Sequence, residues 1–133
     1  MRHDRVTTTL LMLGSLFFAF EAVLHAFGLP VLDHDKIFLF THDRYIALYA
    51  ATMTAIMIVT AMDLKKYRTL FFVIMASIFF GILNAMLIAH LGGYQVLFPA
   101  TIVDGELNPL GAGVMVWYIA TWVAYLYEQN EQK

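Results

Sequence analysis

Glu21 and His25 stand four residues apart inside an apolar run that begins near Val6. On a helix that spacing stacks a carboxylate and an imidazole on one face, where they can share a proton or ligate a metal ion together. Counting about 1.5 Å per residue from Val6 puts Glu21 roughly 22 Å along, inside the hydrocarbon zone if the run crosses a bilayer. An ionised side chain at such a depth costs about 3 kcal/mol or more, so Glu21 must be protonated, paired or turned into the protein interior. Two chemical readings follow, a proton-handling pair or part of a metal site. Beside them stands a plainer one, a buried Glu–His hydrogen bond that fixes helix packing.

Other residues of the right type extend the candidate site. His90 closes the third apolar run at a depth comparable to that of His25, and Asn84 lies deeper on the same run. Two histidines on different helices at one level suit a b-type haem, or copper or zinc, and a neighbouring carboxylate favours zinc or oxidised copper. The segments DHD (33–35) and THDRY (41–45) bracket a short connection and add His34, His42, Asp33, Asp35 and Asp43, while Asp104 and Glu106 lie in the last connection. The metal candidates are therefore His25, His90, Glu21, His42 and Asp43. Their spacing matches no H-x-x-x-H, E-x-x-H or histidine-box pattern, and His90 alone reads as an interfacial histidine. The connection reads equally as a solvated loop. Thr41 or Asp43 would cap the second helix, Arg44 would pair with an aspartate, and Gly28 and Pro30 would end or kink the first helix. Nothing in the chain sets a nucleophile beside a base or forms a Gly-rich phosphate loop.

The elements that must position these residues are dictated by composition. Of 133 residues, 61% are hydrophobic and 14% charged, and the mean hydropathy is +0.72. Soluble domains carry about 45–50% apolar and about 25% charged residues, so this chain has too little polar surface to cover a water-facing globule. A net charge of −2 leaves nothing to neutralise phosphates, which excludes nucleic acid as a partner. The absence of cysteine excludes disulfides and thiolate metal sites.

Four apolar runs stand out, at about 6–32, 45–62, 69–91 and 110–127. Each approaches the ~20 residues a helix needs to cross ~30 Å of hydrocarbon, and in lipid such runs must be helical to satisfy their own backbone. The expected fold is an all-α, integral membrane four-helix bundle forming one domain over residues 1–133. Arg2, Arg5, Lys65, Lys66, Arg68 and Lys133 lie on one side, against Lys36 and Arg44 on the other; this bias predicts both termini in the cytoplasm. MRHDR before an apolar run resembles a signal-peptide opening, but no A-x-A site follows, so the first run is expected to be retained. The outer half then collects Glu21, His25, His34, His42 and His90 together with Asp33, Asp35, Asp43, Asp104 and Glu106. Small residues at four-residue spacing, Ser77–Gly81–Ala85–Ala89 and Ala47–Ala51–Ala55, are expected to form close-packing ridges that face each other or a partner. Trp117, Tyr118, Trp122, Tyr125 and Tyr127 are expected to form an interfacial aromatic belt.

A first helix ending in GLPVL, the start HDRYIALYAA of the second and the end HLGGY of the third resemble the small DoxX-like four-helix membrane proteins. In size and topology the chain also resembles accessory subunits of membrane oxidases and monooxygenases. A sterol-isomerase-like bundle shares the buried Glu and His but no motif. The expectation is a non-catalytic small integral membrane subunit or accessory protein in a prokaryotic plasma membrane, surrounded by membrane lipids and bound to other membrane subunits or to itself. The alternative is an outer-face metal, haem or proton-handling site built on Glu21, His25 and His90.

Overall fold

A computed structural model of the chain describes residues 4–29, 40–90, 102–103 and 106–131. Four helices account for nearly all of them: α1 (Arg5–Phe27), α2 (Phe40–Met62), α3 (Arg68–His90) and α4 (Pro109–Asn130). Between α3 and α4, β1 (Ile102–Val103) and β2 (Glu106–Leu107) make a short antiparallel pairing, with Ile102 opposite Leu107. All four helices are long and apolar enough to cross a membrane.

The helix ends have local causes. Gly28 takes the left-handed conformation (φ 62°, ψ 44°) that glycine adopts without steric cost. The Leu29 N–H then returns to the Leu24 carbonyl at 2.9 Å, a Schellman-type closure that stops α1 at Phe27 rather than near Leu32. α2 begins at Phe40. Thr41 and Asp43 therefore lie within its first turn, and neither is the cap that the sequence led us to expect. In the turn joining α2 to α3, Asp63 accepts the Lys66 N–H through Oδ1 at 3.0 Å, and buried Leu64 anchors it from below. α4 opens with Asn108, whose Oδ1 accepts from Leu110 N at 3.1 Å and Gly111 N at 3.5 Å. Pro109 follows at the position where a missing N–H costs nothing.

α1 packs most extensively on α2, and α1–α4, α2–α3 and α3–α4 contacts close the ring. Its core has two layers. One holds Phe18, Ala50, Met53, Met57, Ile74 and Ile78; the other, nearer the 63–67 turn, holds Leu11, Ala61, Leu64, Phe71, Met75 and Tyr125. Two buried hydroxyls are satisfied within their own helices, Thr60 by the Ile56 carbonyl and Thr121 by the Trp117 carbonyl, which keeps them paired in a water-poor interior.

Two packing expectations need correction. Ala47 is buried, but Ala51 and Ala55 face outward. α2 turns Ala50, Met53 and Met57 inward instead, so of the two expected arrangements, ridges facing each other or facing a partner, the first does not hold. The α4 aromatics likewise fill the bundle rather than ring it. Tyr125 stacks on Phe71 with centroids 4.2 Å apart, Trp122 meets Phe71 edge-on, and of the five only Tyr127 is exposed rather than buried or half-buried.

Candidate functional site

α1 delivers Glu21 and His25 to the bundle interior, because both lie on the face that carries Leu11, Gly14, Phe18 and Leu24. α2 brings Asp43 to meet them from its first turn. All three are buried, with exposures of 0% for Glu21, 1% for His25 and 4% for Asp43. His25 Nδ1 lies 2.7 Å from Asp43 Oδ1, and His25 Nε2 lies 3.5 Å from Glu21 Oε2. The imidazole thus sits between two carboxylates, one from its own helix and one from the next.

The helix termini match this arrangement. His25 occupies the last turn of α1 and Asp43 the first turn of α2. A protonated imidazole there would sit at the negative end of one dipole and face an ionised carboxylate at the positive end of the other. With both carboxylates ionised and the imidazole protonated the trio carries one net negative charge, and one further proton makes it neutral. A ring flanked on both nitrogens by carboxylates can take a proton on one side and release it on the other. A carboxylate bonded to Nδ1 is also the usual partner of an imidazole that ligates a metal through Nε2. Among the described residues no group of three or more His, Asp or Glu side chains is placed to hold a metal ion.

Of the residues singled out in the sequence, Glu21, His25 and Asp43 are brought together. His90 ends α3 with an exposed side chain, in contrast to the buried trio. Asp33, His34, Asp35 and Asp104, and the side chains of His42 and Glu106, lie outside the described residues.

A third buried carboxylate escaped the sequence reading. Glu128, in the last turn of α4, accepts from Val6 N at 2.8 Å, Thr7 N at 3.2 Å and Thr7 Oγ1 at 2.6 Å. It caps the N-terminus of α1, where Asp4 makes no side-chain cap bond. A signal was available: an acidic residue at a helix C-terminus opposes that helix's own dipole, so Glu128 was more at home on another helix's N-terminus.

α4 is fastened to α1 again by Trp117, whose Nε1–H donates to the Leu10 carbonyl at 2.8 Å. Its ring lies so close to Gly14 that a Cβ there would overlap it. Beside this contact a half-open cavity of about 210 Å³ remains between the two helices. The chain matches no protein-family model, no curated protein and no solved structure.

Proposed function

We propose that the chain is a non-catalytic integral membrane subunit, an accessory protein within a larger membrane assembly of the oxidase or monooxygenase type, with both termini cytoplasmic. The observation that carries this reading is how little of each span the chain covers by itself. Over an 18-residue apolar stretch of each helix, buried shares are 39% in α1, 33% in α2 and α3, and only 22% in α4. Leu48, Phe80, Leu87, Val116 and Val123 all point outward, which suits lipid or neighbouring subunits. The orientation is supported by Lys65, Lys66 and Arg68, which are exposed at the end of the bundle where Arg5 also lies. Purification in mild detergent is expected to bring a second membrane chain along in fixed ratio. A stable, partner-free monomer carrying full function would overturn the proposal.

The Asp43–His25–Glu21 string favours a second reading, a proton-handling centre in the outer half of the bundle. Infrared difference spectra of the reconstituted protein between acid and neutral pH should contain a carboxyl band that disappears in Glu21→Gln or Asp43→Asn. Spectra unchanged by both substitutions, and by His25→Ala, would sink it.

A further inference from the structure

We infer that the cavity between α1 and α4 holds one hydrocarbon chain of a membrane phospholipid, an inference that rests on the membrane reading above. Its walls are Leu13, Phe17 and Phe18 from α1 and Leu110, Val114 and Trp117 from α4. The polar group among these side chains, the Trp117 indole N–H, is already committed to the Leu10 carbonyl at 2.8 Å. A ligand with donors or acceptors of its own would lose hydration there and gain no bond in return, whereas a hydrocarbon loses nothing. Gly113, which also lines the cavity, has nothing within 4 Å of where its Cβ would be. The missing side chain leaves a slot in that face of α4.

The slot runs from Pro109 and Leu110 in the first turn of α4 to Phe17 and Phe18 in the middle of α1. It thus leads from one end of the bundle toward mid-depth, the course an acyl chain follows in a leaflet. A helix of a second copy, about 10–12 Å across with its side chains, is too thick to enter. A volume of about 210 Å³ leaves room for part of one methylene chain.

Trp117 is the built-in probe, because the chain has two tryptophans and Trp122→Phe leaves Trp117 alone. The protein is reconstituted into phosphatidylcholine brominated at mid-chain, since bromine quenches indole emission on contact. A second protein, Trp117→Phe/Trp122→Phe/Val123→Trp, reports contact with bulk lipid from an outward-facing position. Both tryptophans should be quenched. Gly113→Phe, or the smaller Gly113→Leu, should fill the slot and abolish quenching of Trp117 while leaving the position-123 reporter quenched. If the reporter itself is not quenched, the membrane reading fails and the inference with it. If the reporter is quenched and Trp117 is not, the inference alone fails. It fails equally if Trp117 stays quenched in both Gly113 variants, or is quenched only when the protein is diluted in lipid, which would mean that a second copy covers the slot.

Discussion

Replacing Glu128 by alanine should loosen α4 from α1 without touching any apolar contact in the core. The carboxylate receives three hydrogen bonds, from Val6 N, Thr7 N and Thr7 Oγ1. Each bond to a charged group has a net worth of about 1.5–3 kcal/mol, but three bonds to one carboxylate do not add. Loss of a helix cap alone costs about 1 kcal/mol. The buried Thr7 hydroxyl also loses its acceptor, at about 1–3 kcal/mol. Together these give a destabilisation of about 2–4 kcal/mol for Glu128→Ala. Glu128→Gln keeps one acceptor oxygen and gives up the charge that complements the α1 dipole, so about 1–2 kcal/mol is expected. Reversible unfolding in mixed micelles, followed by tryptophan emission, measures both variants. The double-mutant cycle with Thr7→Val should show a coupling of about 1–2 kcal/mol. A loss below about 0.5 kcal/mol for Glu128→Ala, or strict additivity with Thr7→Val, would refute the cap.

Other perturbations are read by the same unfolding assay. Tyr125 buries its hydroxyl with no hydrogen-bond partner among the described residues, so Tyr125→Phe should be neutral or stabilising by up to about 1 kcal/mol; a clear loss of stability would reveal a bonded hydroxyl. Gly14→Ala drives a Cβ into the Trp117 ring and should cost about 1–3 kcal/mol and shift Trp117 emission. Gly113→Ala meets open space and should be neutral or gain up to about 1 kcal/mol from helix propensity. Similar costs at the two glycines would contradict the close α1–α4 approach. Asp43→Ala removes the carboxylate 2.7 Å from buried His25 and should cost about 3–5 kcal/mol, and a change under about 1 kcal/mol would mean that the pair contributes little to the α1–α2 contact.

The four helices were legible in the sequence because hydrocarbon imposes one requirement, about 20 apolar residues per crossing, and the four runs meet it. Which face of each helix turns inward was less legible. Small residues four apart mark a smooth face, yet Ala51 and Ala55 show that such a face need not be the one packed. Met53 and Met57 fill the interior of α2 instead, through flexible side chains that adapt to irregular gaps. At the candidate site, Glu21 and His25 were recognisable as a pair because i, i+4 geometry is local. Asp43 was recognisable only by type. Its meeting with His25 depends on the angle at which α2 returns along α1, and periodicity carries no information about that angle. Glu128 was missed for a related reason. Its partners lie 121 and 122 residues away, and a lone acid in a terminal turn looks like a solvated end.

The cap on α1 also bears on the order of folding. Val6 and Thr7 emerge from the ribosome long before Glu128, so α1 enters its environment with those backbone donors waiting for a residue that does not yet exist. α1 and α2 can pair early, through the contact that joins His25 to Asp43, but the bundle cannot lock until α4 has been threaded into place. Degradation of nascent chains stalled before residue 128 should therefore be faster than that of chains released just beyond it.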